Sequence, residues 1–284
     1  MNLTLKWYSK DGLEFYARAW EPDNTKAIIC LVHGMGEHCH RYDHFAEYFK
    51  AKDIAVLTYD QRGHGRSQGK RGHTPSYAML MHDVAKLLEQ RKEYLPEAPV
   101  FLYGHSFGGN LVSNYVLAEQ PQISGAIVTG SLFKLAFEPP KFKVALGKMM
   151  SNVYGGYTEK SELNAAHLSR DTAVVKKYIE DIYVHGNVSA RMFVDMMDSG
   201  KWALKNAAKL SIPLLVMHGS ADQITLPAAS VDFANEAGDL ADLKLWDGFY
   251  HEIHNEPEKK EVFDYVYNWM NTVLEKKVDF VQNT

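Results

Sequence analysis

The sequence predicts a doubly wound α/β fold with a mostly parallel sheet, a leading antiparallel hairpin and an inserted helical cap. Three observations support this prediction: short apolar runs bounded by turn signals, helical patterns between them, and one long segment in which the alternation stops. Such apolar runs are typical of strands buried on both faces of a sheet. With 284 residues, 46% of them hydrophobic, the chain is long enough to bury that sheet in one large domain.

Strands and helices are predicted to alternate along most of the chain. Leu3 to Trp20, broken at Asp11-Gly12, predicts the hairpin. The apolar runs that predict the later strands are Ala27 to Val32, Ile54 to Tyr59, Val100 to Tyr103, Gly125 to Thr129, Leu214 to His218 and Leu243 to Trp246. Apolar residues at helical spacing occur at Tyr42, Phe45, Ala46 and Phe49, at Tyr77, Leu80, Met81, Val84 and Leu88, and at Phe263, Val266, Tyr267, Met270 and Leu274. Right-handed crossovers between these strands favour a parallel sheet.

The alternation stops after the strand that begins at Gly125. From about Ser131 to Ser199 there is no convincing buried strand, and the segment carries Pro139-Pro140, Gly155-Gly156 and helix-like pieces rich in Phe, Met and Lys. We interpret residues 131–205 as a cap inserted into a core that residues 1–130 and 206–284 form.

Composition and charge exclude several classes of protein. The formal net charge of -4 and the scattered basic residues exclude a stripe that would follow a nucleic acid backbone. Cys30 and Cys39 do not form a disulfide framework, which fits a reducing compartment. The chain carries neither an apolar signal segment nor about 18 uninterrupted apolar residues, so a cytoplasmic protein is expected. The sequence carries no signal for an oligomeric state.

The stretch VFLYGHSFGGNLVSNYVLAEQ at 100–120 joins a predicted strand to a predicted helix at a serine between glycines. A sharp strand-to-helix turn strains its central residue and brings the residues two before and two after it together, so both positions need glycine. Gly104 and Gly108 meet this requirement around Ser106. Since chemistry in open α/β sheets lies at the carboxyl ends of strands, the pattern predicts that Ser106 is a nucleophile rather than a helix cap.

A second glycine-containing loop, HGMGEH at 33–38, follows the strand that ends at Val32. The glycines around Met35 allow its backbone N–H to turn inward, where it would complement the N–H of Phe107 as an oxyanion hole. An ordinary strand-to-helix turn is the alternative.

Polar residues near this loop also raise the question of a metal site. They are Glu37, His38, His40 and His44. They lack the H-E-x-x-H arrangement and are expected on different faces, so we interpret them as solvated residues at a helix start and predict no metal. The segment GHGRSQG at 63–69 lacks the glycine spacing of a dinucleotide loop, and we predict no cofactor.

A serine nucleophile needs a histidine that takes its proton and a carboxylate that orients the histidine. His105 is adjacent to Ser106 in a tight turn, so its ring is expected to point away from the hydroxyl. In this architecture, the acid and the histidine follow the nucleophile on loops after later strands. Asp222 lies just beyond the strand Leu214 to His218 and is the predicted acid; Asp247 is the alternative.

Two histidines lie on the loop that follows the strand Leu243 to Trp246. His251 and His254 are both suitably placed to act as the base, and spacing alone does not choose between them.

Five motifs occur together in this chain. They are HGMGEHCHRY at 33–42, YDQRGHGRSQG at 59–69, GHSFGG at 104–109, HGSADQIT at 218–225 and YHEIHNEP at 250–257. As a set, covering about residues 10–270, they resemble the monoacylglycerol lipase and lysophospholipase group of α/β hydrolases, often labelled serine aminopeptidase S33-like hydrolases. The resemblance implies the α/β-hydrolase fold and a triad of Ser106, Asp222 and His251, with His254 as a neighbour that lines the site.

The resemblance also implies that Glu37, Arg41 and His254 line a small polar pocket for a glycerol head group, to which Tyr178 of the cap contributes. A helix-surface salt bridge between Glu37 and Arg41 is the alternative. Apolar cap residues are expected to line an acyl tunnel, and either peripheral membrane contact or packing on the core explains the rest. These residues are Leu132, Phe133, Leu135, Phe137, Phe142, Val144, Leu146, Met149 and Met150.

The expected function is therefore a serine hydrolase that cleaves carboxylic esters of lipids, with monoacylglycerol as the substrate and fatty acid and glycerol as products. A lysophospholipase, a short-chain carboxylesterase and an acyltransferase are the enzymatic alternatives. A non-catalytic protein of the same fold that binds a hydrophobic ligand is a remote alternative.

Overall fold

The computed structural model describes residues 1–94, 98–161 and 163–282. Most of its strands form one large sheet. The strands are β1 (Asn2–Tyr8), β2 (Glu14–Trp20), β3 (Ala27–Val32), β4 (Ile54–Tyr59), β5 (Val100–His105), β6 (Gly125–Thr129), β7 (Thr158–Lys160), β8 (Asn187–Ser189), β9 (Leu214–Gly219) and β10 (Ala241–Trp246). The helices are α1 (Asp43–Lys50), α2 (Tyr77–Tyr94), α3 (Phe107–Glu119), α4 (Lys141–Tyr154), α5 (Thr172–Glu180), α6 (Ala190–Asn206), α7 (Pro227–Ala237) and α8 (Lys259–Gln282).

The sheet has the order β1-β2-β4-β3-β5-β6-β9-β10. β1 and β2 form an antiparallel hairpin, and β2 pairs antiparallel with β4. All later neighbours pair in parallel. The predicted doubly wound architecture with a leading hairpin is therefore confirmed.

Helices cover both faces of the sheet, and alternate residues of a strand pack against opposite layers. In β3, Cys30 joins the core on the side of α2, α3 and α7, whereas Leu31 joins the core on the side of α1 and α8. Both side chains are fully buried, because the central parallel strands of a doubly wound sheet have no solvent face. This is why these strands are apolar throughout rather than alternating.

The segment between β6 and β9 contains α4, α5, α6 and the antiparallel pair β7–β8. The sequence did not predict this pair, because each strand has only three residues and offers no buried apolar run. α6 packs into the core through Met192, Met196 and Ala203. α4 instead exposes apolar side chains, among them Phe142 and Val153. Within the described ranges, every helix is too short or too polar to cross a membrane.

A substitution in the centre of the sheet tests how the core stabilises this fold. Leu102 of β5 is fully buried, and we predict that Leu102→Ala lowers the free energy of unfolding by about 2 to 5 kcal/mol, because it leaves a cavity. Leu245→Ala on the exposed side of edge strand β10 is the matched control and should cost about 0.5 kcal/mol or less. Denaturant titration measures both; equal losses would contradict this account of the core.

Candidate active site

Ser106 stands at the turn between β5 and α3, at the carboxyl end of the sheet. Its φ of 55° and ψ of -115° lie outside the ordinary regions for a non-glycine residue. A Cβ on Gly104 would overlap the carbonyl of Gly108, and a Cβ on Gly108 would overlap the carbonyl oxygen of Val32. The two glycines thus allow α3 to start directly against β3, which presents the Ser106 hydroxyl at the sheet edge.

His251 lies on the loop after β10 and meets this hydroxyl. Its Nε2 is 2.9 Å from Ser106 Oγ, and its Nδ1 is 2.7 Å from Asp222 Oδ2. The structure therefore brings the three predicted residues into one hydrogen-bonded line. In this arrangement, a neutral imidazole can take the serine proton while the carboxylate holds the ring in the required tautomer.

Asp222 is held by the turn that follows β9. Its Oδ1 accepts the backbone N–H of Ile224 at 2.7 Å and of Thr225 at 3.1 Å. Its Oδ2 lies 2.9 Å from His218 Nε2 and accepts the Thr225 hydroxyl at 2.8 Å. Burial by itself would raise the pKa of this carboxyl, but the charge of His251 and the hydrogen bonds from both histidines hold it well below its usual range.

His218 and Thr225 were not predicted, although both lie in the motif HGSADQIT. The alternative acid, Asp247, is exposed and accepts a hydrogen bond from Ser220 instead.

The environment of His251 favours its charged form. Burial disfavours that form, but the charge and hydrogen bond of Asp222, followed by the charges of Glu252 and Glu37, raise the pKa of the ring. An imidazolium formed by proton transfer from Ser106 would thus be stabilised where it arises.

His254 and His105 do not reach the Ser106 hydroxyl. His254 is fully buried, stacked on Tyr42 with ring centroids 4.7 Å apart and edge-on to His105 at 4.6 Å. It was expected to line the polar pocket, but a short 3₁₀ turn at Ile253–Asn255 directs it into the core, and it is not on the cavity wall. His105 turns to Thr129, with Nδ1 3.0 Å from its hydroxyl oxygen, as expected for a ring that points away.

Met35 and Phe107 flank Ser106 at the predicted oxyanion positions. Gly34 is so close that a Cβ there would lie 3.2 Å from the Ser106 Cβ, and Met35 lines the same cavity as Ser106. Phe107 is the first residue of α3. Among the described residues, the backbone N–H groups of Met35 and Phe107 have no hydrogen-bond partner. Both donors are thus unoccupied beside the serine.

Glu37 and Arg41 form a buried ion pair, with 2.7 Å between Glu37 Oε2 and Arg41 Nη1. Their side chains are 3% and 9% exposed, and Glu37 precedes the short turn that carries Arg41, so the helix-surface alternative is wrong. The Arg41 guanidinium lies under the Tyr178 ring, 4.7 Å from its centroid. Arg41 also pairs with Glu252, a residue that the sequence analysis missed although it directly follows His251.

The interpretation of Glu37, His38, His40 and His44 as solvated is only partly right, because His40 and His44 are partly exposed but the other two residues are buried. His38 is 3% exposed and pairs with Asp181, in the segment between β6 and β9, at 2.8 Å, while His44 Nε2 donates to the backbone carbonyl oxygen of His254 at 2.9 Å. Glu37 is buried as well. No group of three or more potential ligand side chains is arranged around a metal position within the described ranges.

A cavity of about 120 Å³ opens at Ser106 and His251. Its polar end is formed by Glu37, Arg41 and Tyr178. Its other end shares wall residues with a second chamber of about 300 Å³ in the segment between β6 and β9. The shared residues are Leu132, Leu135, Ser161, Val188 and Met196. Of the apolar cap residues predicted to line a tunnel, six are on these walls: Leu132, Leu135, Phe137, Phe142, Leu146 and Met150.

Comparison with known proteins agrees with this geometry. A family model described as serine aminopeptidase, S33, matches residues 23–258. The chain belongs to this family. Its sheet order, its serine turn and the helical segment between β6 and β9 are therefore those of an α/β hydrolase.

Individual relatives support the more specific resemblance. This hydrolase is 33% identical to the monoacylglycerol lipase of Mycolicibacterium smegmatis, with 91% of this chain and 93% of that protein covered. The crystal structure of Paleococcus ferrophilus monoacylglycerol lipase matches with 32% identity and a TM-score of 0.83, covering 91% and 99% of the two chains. An uncharacterized abhydrolase domain-containing protein of Dictyostelium discoideum is 36% identical over 91% of this chain. The matched region makes up 28% of the length of that protein. The predicted resemblance to the monoacylglycerol lipase group is thereby confirmed.

The raised pKa of His251 predicts the pH dependence of ester hydrolysis. A histidine accepts a proton only when neutral, so kcat/KM should rise with pH through a midpoint above about 6.5, the usual pKa of histidine. The measurement is a profile from about pH 5 to pH 9 with an uncharged ester. Asp222→Asn should move the midpoint to lower pH and reduce kcat by about 10⁴-fold, because the amide neither raises the pKa nor holds the tautomer.

Asp247→Asn is the matched control, because it removes an exposed carboxylate from the neighbouring loop. It should leave both midpoint and rate unchanged. A wild-type midpoint at or below about 6.5 would contradict the electrostatic description of the site.

Proposed function

We propose that this chain is a serine ester hydrolase that cleaves monoacylglycerol to a fatty acid and glycerol. The observation that carries the proposal is the line from Ser106 Oγ through His251 to Asp222, with distances of 2.9 and 2.7 Å, on the wall of a cavity that continues into an apolar chamber. The monoacylglycerol lipases of Mycolicibacterium smegmatis and Paleococcus ferrophilus support the choice of substrate.

In the first half of the reaction, Ser106 Oγ attacks the ester carbonyl and His251 Nε2 takes the hydroxyl proton. Asp222 accepts the hydrogen bond from Nδ1–H and stabilises the imidazolium. The N–H groups of Met35 and Phe107 donate to the oxyanion of the tetrahedral intermediate. The C–O bond to glycerol then breaks, His251 gives its proton to the leaving oxygen, and an acyl-Ser106 ester remains.

In the second half, water occupies the place that glycerol leaves. His251 accepts a proton from the water as its oxygen attacks the acyl carbonyl, and the same two N–H groups stabilise the second oxyanion. When the bond to Ser106 Oγ breaks, His251 returns the proton to the serine and the fatty acid is released.

The two ends of the cavity suit the two ends of this substrate. At the polar end, Glu37, Arg41 and Tyr178 offer charged and hydroxyl groups for the glycerol hydroxyls. At the other end, the chamber lined by Phe142, Leu146 and neighbouring residues can bury an acyl chain. In this proposal, residues 131–205 act as the cap, and residues 1–130 and 206–284 act as the catalytic core.

Exposed apolar side chains surround the outer side of this chamber. Phe137, Phe142, Met149 and Val153 are 55%, 69%, 55% and 77% exposed. A patch of this kind rarely faces water without a partner. We propose that it contacts lipid aggregates from which the substrate enters; the cytoplasmic location stays a prediction.

A first prediction concerns the nucleophile. Ser106→Ala should abolish labelling by a fluorophosphonate probe and lower kcat for monoacylglycerol by more than about 10⁴-fold, because no hydroxyl remains to form the acyl-enzyme. Ser220→Ala, an exposed serine on the loop after β9, is the control and should keep both properties. Equal labelling of wild type and Ser106→Ala would refute the mechanism.

A second prediction concerns the acyl chain. Val188 lies where the cavity meets the chamber, and Val188→Trp should narrow the passage. The ratio of kcat/KM for long-chain over short-chain monoacylglycerols should fall by about 10-fold or more. A series of monoacylglycerols from butanoyl to octadecanoyl measures the ratio. Leu240→Trp, in the exposed turn after α7, controls for added bulk away from both cavities; an unchanged ratio in Val188→Trp would place the acyl chain elsewhere.

A further inference from the structure

Glu252 occupies an unusual position, since it links the loop of His251 to the polar end of the cavity. Its Oε1 and Oε2 accept hydrogen bonds from Arg41 Nη1 and Nη2 at 2.6 and 2.7 Å. Arg41 Nη1 also donates to Glu37 Oε2 at 2.7 Å. The side chain of Glu252 is 2% exposed, and all three residues line the cavity. One buried guanidinium is therefore shared between two carboxylates.

Both carboxylates are ionised at neutral pH. Burial works against ionisation of Glu37, but Arg41 and nearby histidines lower its pKa to about 2. Burial likewise opposes ionisation of Glu252, whose pKa Arg41 nevertheless holds below its usual range. The trio thus carries a net charge of -1.

His105, His185 and Tyr178, which line the cavity, add no positive charge at neutral pH, and His251 adds none in its neutral, catalytically active form. Burial, followed by the charge of His251, lowers the pKa of His105 to about 4, and burial also lowers the pKa of His185. Burial raises the pKa of Tyr178 to about 12. Among the described residues that line this cavity, Arg41 is the one lysine or arginine.

We propose that Glu252 determines the charge selectivity of the head-group pocket, so that the enzyme accepts neutral polyol esters and rejects esters whose head group carries a phosphate. This inference rests on the proposed function, because it concerns the same cavity and the same acyl-enzyme reaction.

The contacts of Arg41 explain this selectivity. Arginine usually binds phosphate through two parallel N–H donors, and Glu252 already occupies one such pair on Arg41. The Tyr178 ring covers one face of the guanidinium. A phosphate would therefore meet a negatively charged, poorly solvated group without a free cation, which is unfavourable. A neutral hydroxyl can instead donate to the carboxylate oxygens.

A purely structural role for Glu252 makes a different prediction. Its backbone N–H donates to Leu168 O at 2.8 Å and its Oε2 accepts from Asn255 Nδ2 at 2.8 Å, so it also connects the loop of His251 to its surroundings. If it served only to hold this loop, its replacement would slow all substrates in parallel. The ratio of kcat/KM for a neutral substrate to kcat/KM for an anionic substrate therefore separates the two roles.

The test compares decanoylglycerol with decanoyl lysophosphatidic acid, below their aggregation concentrations, in wild type and Glu252→Gln. The wild type should prefer the neutral ester by about 100-fold or more in kcat/KM. Glu252→Gln should lower this preference by at least about 10-fold, mainly through a lower KM for the phosphate ester, because the net charge of the trio changes from -1 to 0 and Arg41 is no longer held by two carboxylates. Fluorophosphonate titration of active sites confirms that the variant is folded.

Glu256→Gln is the matched control, because Glu256 is a fully buried carboxylate on the same loop that pairs with Arg170 and does not line the cavity. It should leave the preference unchanged. An unchanged ratio in Glu252→Gln, or a parallel loss for both substrates, would overturn the proposal. A shift of the ratio in Glu256→Gln as large as the shift in Glu252→Gln would also overturn the proposal.

A second readout separates this proposal from the proposed function. Lysophosphatidic acid and decanoylglycerol are tested as competitive inhibitors of p-nitrophenyl butyrate hydrolysis. If the wild type cleaves the nitrophenyl ester but neither lipid, the monoacylglycerol function fails, and the inhibition constants still measure selectivity. Inhibition by lysophosphatidic acid that strengthens about 10-fold or more in Glu252→Gln supports the role of Glu252, and equal inhibition in both proteins refutes it.

Discussion

The direct contact between the start of α3 and the end of β3 is the constraint on which the rest of the site depends. Because neither Gly104 nor Gly108 has a side chain, the helix begins against the neighbouring strand and Ser106 is held at a positive φ. That geometry raises the hydroxyl above the sheet and leaves the Phe107 N–H as an unoccupied donor at a helix terminus. The strain at one residue is balanced by the packing of a largely buried helix.

Buried charge organises the site around this turn. Burial disfavours each of the ions Asp222, Glu252 and Arg41, and each is stabilised by close partners. Asp222 pairs with the imidazole of His251, whereas Glu252, the next residue in the chain after His251, pairs with Arg41. Both raise the pKa of that imidazole, but only Glu252 faces the polar end of the cavity. Two buried carboxylates thus have different partners, since one contacts His251 and the other contacts Arg41 at the polar end of the cavity.

The segment between β6 and β9 has two physically different sides. α6 contributes Met192, Met196 and Ala203 to the main core, which ties the segment to the sheet. In α4, Ser151 is the one buried residue, and Phe142 and Val153 are exposed. The apolar chamber lies between these helices, so its wall combines a fixed side with a side that has few core contacts. Such an arrangement suits a ligand that is itself apolar and completes the packing when it binds.

Local patterns in the sequence determined the strands of the large sheet, the sharp turn at Ser106 and the placement of Asp222 and two histidines after late strands, because hydrophobic period and glycine spacing are encoded within short stretches. The residue spacing left His251 and His254 equivalent; the tertiary structure separates them, since a short turn sends one ring to Ser106 and the other into the core. It also buried Glu37 and His38 and joined Glu252 to Arg41, 211 residues away. Burial and charge pairing arise from contacts between distant segments, which no local pattern specifies.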